Sequence, residues 1–564
     1  MKKELVMLYQ LLRESAAAYP DIPALGFAGE EAYTYGRIEE LTDRLSARLA
    51  ADGVRPGDRV AVLGENMPNW GVAYLAVNRC GGVVVPVLPD FPAQDVKTIL
   101  EHAGIRGIFV SQRQISKVAQ CSLDADSTHL YLLDTLNRID EVSPKAAEAG
   151  LANAPLPDPG KEGYSFEGAS DDLAVIIYTS GTTGHSKGVM LSNRNIIFDL
   201  LKTSVIPGMS PGDTMVSILP LAHTYECSLG FLLPLYMGCS VYYLKRPPSA
   251  TVLMPALRQV RPHLMLSVPL LIEKLYRNSV LPSFKKSPVL RRVHSTTVGR
   301  KLLNRLAGRK LRRAFGGRLY FFGIGGAALA PEVEDFLIEA RFPYCVGYGL
   351  TETSPLIAGA NSKEMLPRST GRPIEGIEVK IVNPKPETGE GEIMVRGPIV
   401  MQGYYKDPER TAEVLEPDGW FHTGDLGIFD ETGRLYIKGR VKNMILGPSG
   451  ENIYPEAIES IINSFEFVED SLVFQEDGEI LARIHLNYEA MKEHMQNLAD
   501  SAAGVPREVG ELMHELRRNV NDRLSSFSRI GKVIEQKEPF EKTPTKKIKR
   551  FLYEKMPGND TESE

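Results

Sequence analysis

Residues 178–192 read YTSGTTGHSKGVMLS, with seven hydroxyl-bearing side chains, three glycines and one lysine in fifteen positions. These residue types suit a polyanion. Glycines let bare backbone N–H groups approach a phosphate, hydroxyls add donors, and lysine adds a mobile positive charge. Residues 173–178 read as a buried strand and 188–191 as a second, so the loop is a hairpin tip. A helix follows, with Ser192 as N-cap and Ile196, Ile197, Leu200 and Leu201 on one face. The spacing excludes a Walker A loop. That motif needs G-x-x-x-x-G-K-[ST] and opens a helix at its lysine, whereas here Gly181-x-x-Gly184-x-x-Lys187-Gly188 runs into a strand. An ordinary flexible turn would need neither the lysine nor so many hydroxyls.

A second glycine cluster, Gly323-Ile-Gly325-Gly-Ala-Ala328, follows a strand and matches the dinucleotide fingerprint G-x-G-x-x-A. The acidic residue that should end the next strand is missing from PYCVGYGL, which argues against a nicotinamide cofactor. The five cysteines (Cys80, Cys121, Cys227, Cys239 and Cys345) have no paired spacing, so neither a disulfide framework nor a zinc site is expected and a reducing cytoplasm fits. A net charge of −6 gives no global attraction to nucleic acid.

Elements must hold these loops in place. At 564 residues, 43% hydrophobic, the chain has material for more than one folding unit. Between 33 and 110, amphipathic helices alternate with short apolar strands (RVAVLGEN, VVVPVLP), the pattern of a parallel sheet covered by helices. Residues 150–170, rich in Pro, Gly, Ala and Asp, read as a linker. From about 376 to 438, short strands punctuated by Gly, Pro and Asp predict a β-rich subdomain. The expected class is therefore α/β: a large N-terminal domain (1–438) of α/β sheet layers carrying that subdomain. A small α+β domain (439–555) and an acidic, disordered tail (556–564) complete it. The N-terminus reads as an amphipathic helix rather than a signal peptide, and the longest apolar run, GFLLPLYMGCSVYYL, is too short to span a bilayer. Between Lys274 and Arg318 there are fourteen Lys/Arg and no Asp or Glu. Val298, Leu302, Leu303, Leu306 and Leu311 interleave with them, so the segment is either a solvated face or a surface for anionic membrane.

Together with the later motifs, the hairpin loop resembles the adenylate-forming superfamily of acyl-CoA synthetases, luciferases and peptide-synthetase adenylation domains. The likeness covers nearly the whole chain in the same motif order. It implies that Thr179, Ser180, Gly181, Thr182, Thr183 and Lys187 face the β- and γ-phosphates of ATP. In LPLAHTYE, His223 would border the acyl pocket. In GIGGAAL, Gly325, Gly326 and Ala327 would run beside the adenine. In GYGLTET, Tyr348 would flank the base, Thr351 contact the α-phosphate and Glu352 hold Mg²⁺. GWFHTGD offers Asp425 to the ribose hydroxyls. GRVKNMI offers Arg440 to the ribose–phosphate region and Lys442 as the hinge of a mobile C-terminal domain. KTPTKKI offers Lys547 as catalytic lysine, with Lys546 the alternative one register away, and Gly450 and Glu451 would line the tunnel for coenzyme A.

The implied reaction is activation of a carboxylic acid by ATP to acyl-AMP, then transfer to the thiol of coenzyme A. Amino-acid-activating relatives carry an aspartate where this chain has His223-Thr-Tyr225-Glu226-Cys227, which points away from amino acids. LAHTYE and the basic segment are most similar to long-chain fatty acyl-CoA synthetases. The pocket-gating tryptophan of some of those is replaced by Cys227, which leaves the chain length open between medium and long. An acyl carrier protein as acceptor, an aryl or other non-fatty acid as substrate, and a catalytically weak binding protein are the alternatives.

Overall fold

The computed structural model describes residues 5–121, 128–139, 164–180, 186–285, 287–447, 451–465, 467–489, 491, 505–543 and 547–554. The hairpin tip at 181–185, Gly450, Lys546, most of the expected linker and the acidic tail lie outside them.

Two α/β sheets carry the N-terminal part. The first has eight strands, in spatial order Gly403–Tyr404, Ser186–Ser192, Leu173–Ser180, Val83–Val87, Arg59–Leu63, Gly107–Val110, His129–Leu132 and Asn137–Ile139. Its middle strands pair in parallel. Val83–Val87 is buried at every position, as a strand covered on both faces must be, and its unbroken apolar run reflects that. The second sheet has seven strands: Tyr344–Val346, Phe321–Ile324, Leu264–Ser267, Thr214–Val216, Ser240–Tyr243, Pro23–Phe27 and Tyr33–Thr34. The helix Pro68–Arg79 touches strands of both sheets and is buried along its whole length. Trp70 in it stacks on Tyr74 at 5.4 Å and meets the edge of Phe231 at 6.2 Å.

The four-stranded antiparallel sheet Glu378–Val382, Gly391–Arg396, Phe421–Phe429 and Leu435–Arg440 accounts for the turn-punctuated stretch. Beyond it, residues from Ile445 to Ile530 build a hydrophobic cluster of their own around the strands Val468–Glu476, Glu479–Leu486 and Lys532–Glu535. No helix among the described residues is long and apolar enough to cross a membrane.

One expectation about the basic segment needs correcting. Of the five interleaved aliphatic residues, Val298, Leu302 and Leu306 are exposed, whereas Leu303 and Leu311 pack against the cluster of the second sheet. Helical period groups residues by face but does not say which face meets the core.

Candidate active site

The loop-bearing hairpin has the strands Leu173–Ser180 and Ser186–Ser192 in antiparallel register, with Thr179 opposite Lys187 and Ser180 opposite Ser186. Ser192 caps the following helix, accepting from the Asn195 N–H at 3.1 Å while the Asn195 side chain accepts from the Ser192 N–H at 2.8 Å. This capping box fixes where the second strand ends. The Thr179 hydroxyl is buried and has no partner among the described residues.

Lys187 does not project freely. Its Nζ lies 3.0 Å from Glu352 Oε1 and 2.5 Å from Tyr404 Oη, and the Tyr404 hydroxyl donates to the same carboxylate oxygen at 2.9 Å. Glu352 sits in the short turn Thr351–Thr353, and its carbonyl accepts from the Met401 N–H at 2.9 Å. Burial disfavours its charge, but Lys187 outweighs that and holds the carboxyl below its usual range. The loop lysine and the GYGLTET glutamate thus form one ion pair, clamped by a tyrosine from the edge strand Gly403–Tyr404. Gly349 allows the tight turn here: a Cβ on it would fall 1.7 Å from the Pro355 carbonyl oxygen.

Asp425 and Arg440 face each other across two antiparallel strands. Arg440 Nε lies 2.8 Å from Asp425 Oδ1, and the Tyr348 hydroxyl donates to Oδ2 at 2.8 Å. Burial pushes the Asp425 carboxyl up while Arg440 opposes that rise. Thus Tyr348, Asp425 and Arg440 form one cluster from three separate motifs.

Lys547 lies between the two partners of the isolated bridge Lys542–Ile548, and its N–H donates to Thr543 Oγ1 at 3.1 Å. The residue as a whole is exposed, yet its ammonium lies buried in the field of Arg440, Asp425 and Glu352, and it acts on His223 as well. Burial and Arg440 lower its pKa, and the two carboxylates oppose that shift. The Lys187–Glu352 pair, the Asp425 cluster and Lys547 therefore converge on one cleft. His223 is pushed down to about 4 by burial and by Lys547, so it is neutral at pH 7. Its charging would need pH below the ordinary histidine value of about 6.5, so adenylation should show no inflection near there that His223→Gln abolishes. Overlaid pH profiles of the two proteins check this.

Gly325 and Gly326 lie against Tyr225 and at a left-handed turn respectively. A Cβ on Gly325 would sit 3.1 Å from the Tyr225 ring, and Gly326 has φ +87°. Ala327 is exposed beside them, and Thr351 is half-buried. Lys442 lies in the turn Val441–Asn443, and the Glu451 carbonyl accepts from the Gly447 N–H at 2.8 Å.

Behind Tyr225 lies an apolar cavity with about 520 Å³ of empty space, including its opening. Leu264, Leu266, Phe321 and Cys345 from the second sheet form one wall, with Leu229 and Ala360 among the others. His223 is not among its lining residues; Tyr225, two positions on, is. Sequence reasoning missed both Tyr225 and Tyr404. For Tyr404 no local signal exists, since its partners lie 217 and 52 residues away.

A profile of the family described as AMP-binding enzyme matches residues 12–405. The chain belongs to this family of adenylate-forming enzymes, and within it is most like the long-chain acyl-CoA synthetases. It is 31% identical over 571 residues to the peroxisomal long chain acyl-CoA synthetase 7 of Arabidopsis thaliana, covering 93% of this chain and 80% of that protein. It is also 28% identical to the long-chain-fatty-acid--CoA ligase of Salmonella typhimurium, covering 82% of each. Among solved structures, ATP-bound MatB from Rhodopseudomonas palustris shares the fold with a TM-score of 0.73 at 22% identity, covering 97% of this chain and 99% of that one.

Proposed function

We propose that the protein activates a medium- or long-chain fatty acid with ATP, through acyl-AMP, to acyl-CoA, releasing pyrophosphate and AMP. The observation that carries this is the apolar cavity lined by Tyr225, whose N–H donates to His223 beside the cleft where Lys187, Glu352, Asp425, Arg440 and Lys547 converge. Glu226 offers no counter-charge to an ammonium group. It is fully buried, and burial pushes its carboxyl up to about 8, so it is protonated at neutral pH.

In the first step a carboxylate oxygen of the acid attacks the α-phosphorus of ATP. The new O–P bond forms as the bond to the β-phosphate oxygen breaks, and pyrophosphate leaves. Charge on the phosphoryl oxygens is stabilised by positioned cations and donors, with no proton transfer required. Lys547 would supply the cation at the reacting phosphate, the loop residues 179–183 would hold the departing pyrophosphate, and Asp425 would accept from the ribose hydroxyls. The thiol then attacks the acyl carbonyl, a C–S bond forms, the C–O bond to phosphate breaks and AMP leaves.

Mg²⁺ is commonly held by one or two protein carboxylates plus phosphate oxygens, and Glu352, kept ionised by Lys187 through one of its oxygens, fits that role. When bound, the ion would neutralise developing phosphate charge. Rotation of residues 439–555 about Lys442, with Gly450 and Glu451 lining the thiol path, belongs to the same proposal, supported by that region's separate hydrophobic cluster. So does a reducing cytoplasmic setting, since all five cysteines are free.

Pyrophosphate exchange across a panel of fatty, aryl and amino acids tests the substrate class, and AMP release with coenzyme A against acyl carrier protein tests the acceptor. Filling the cavity should shorten the accepted chain. Ala360→Phe is expected to lower kcat/KM for hexadecanoate relative to octanoate by roughly 10- to 100-fold, the scale of discrimination apolar pockets reach. An unchanged ratio would place the acyl chain elsewhere.

A further inference from the structure

The helix Thr297–Ala314 has two unlike faces. Its inner face is settled by packing: Asn304 donates to Glu339 Oε2 at 2.8 Å, and Gly308 lies so close to Ala340 that a Cβ would fall 2.4 Å from the carbonyl oxygen. Leu303 and Leu311 join the core cluster on the same side. With that orientation fixed, Val298, Leu302 and Leu306 form an outward stripe at four-residue spacing, 81%, 57% and 50% exposed. Val289 on the preceding helix, Pro288–His294, is 69% exposed. Lys301, Arg305, Arg309, Lys310, Arg312 and Arg313 flank the stripe and are all exposed, as are Arg291 and Arg292. Among the described residues, Arg300 is the one basic residue of these two helices paired with a carboxylate, Glu339 at 2.9 Å.

We propose that this outer face docks on an anionic lipid bilayer, with the arginines and lysines at the headgroups and the Val–Leu stripe in the acyl boundary. A helix face built only for solvation mixes charge signs and gains from intrahelical pairs, whereas this one has no acidic residue and exposes three large aliphatic side chains. A polynucleotide would use the cations but not the stripe, because phosphate neutralisation rewards only charge. An anionic bilayer takes both in one plane. The site is also well placed. The helix packs on Pro331–Glu339, which follows the strand Phe321–Ile324 that walls the apolar cavity. The docking face and the cavity therefore share one lobe. That relation, though not the docking itself, rests on the fatty-acid reading.

The test is co-sedimentation of the full chain with phosphatidylcholine vesicles, with and without phosphatidylglycerol, at physiological salt. Binding should require phosphatidylglycerol. A variant with R305Q, R309Q, R312Q and R313Q should lose roughly 100-fold or more in partitioning, since each cation near such a surface contributes. A V298S, L302S and L306S variant, which keeps every charge, should lose about tenfold or more. Both should exchange pyrophosphate with octanoate at the parental rate, which confirms that they fold. Vesicle binding that ignores phosphatidylglycerol, or a serine variant that binds like the parent, would overturn the proposal. So would capture of a polynucleotide or an acidic carrier protein, and not vesicles, through the same residues. Should exchange with fatty acids fail while vesicle binding persists, the substrate reading falls and the docking stands.

Discussion

Replacing Lys547 by alanine is expected to lower pyrophosphate exchange by about two to three orders of magnitude, the cost of removing one transition-state donor from a preorganised site. The ammonium lies buried in the field of Arg440, Asp425 and Glu352. Transfer from preformed acyl-AMP to the thiol should be far less affected, because no charge builds on the phosphoryl oxygens in the same way there. A further readout separates chemistry from mere structure. Burial and Arg440 lower the Lys547 pKa, so the protonated form is lost at lower pH than for a free lysine of about 10.4. Adenylation should accordingly fall on an alkaline limb that starts below that value. Lys547→Arg, whose cation does not titrate there, should be slower yet should lack the limb. If Lys547→Ala adenylates normally and Lys546→Ala does not, the roles are reversed.

Glu352→Gln is the second large effect. The substitution keeps the shape and can still accept from Tyr404, but it removes the charge that pairs with Lys187 at 3.0 Å and the carboxylate proposed for Mg²⁺. Adenylation should fall by about two to three orders of magnitude, and the Mg²⁺ concentration for half-maximal rate should rise. Tyr404→Phe separates the two contributions. It removes one hydrogen bond to the carboxylate and leaves the ion pair, so its loss should be far smaller, on the order of tenfold or less. Equal Mg²⁺ dependence in the parent and Glu352→Gln would move the metal elsewhere.

What the sequence made legible follows from how local each signal is. The polar hairpin loop could be read because glycines, hydroxyls and a lysine sit on adjacent positions, and the strands flanking it show as apolar runs. The hairpin follows from that pattern, whereas the register that sets Thr179 opposite Lys187 is seen in the structure. Asp425 and Arg440 could each be matched to a motif, but their 2.8 Å pairing depends on strand register across fourteen intervening residues. Tyr404 was invisible, because its partners come from the hairpin and the GYGLTET turn and meet it only through the edge of the first sheet. The cavity was likewise hidden. Its walls gather one or two residues from each of several strands, and no window of sequence contains them. The basic helix shows the same limit in reverse: charge and period were plain, while the assignment of Leu303 and Leu311 to the core needed Asn304 and Gly308 seated against their neighbours.

The most direct measurement is mass-spectrometric detection of the product formed from hexadecanoate and ATP with Mg²⁺ before any thiol is added. The expected result is hexadecanoyl-AMP with stoichiometric pyrophosphate, converted on addition of coenzyme A into hexadecanoyl-CoA and AMP. Formation of ADP and phosphate, or an acyl-AMP only from aryl or amino acids, would contradict it.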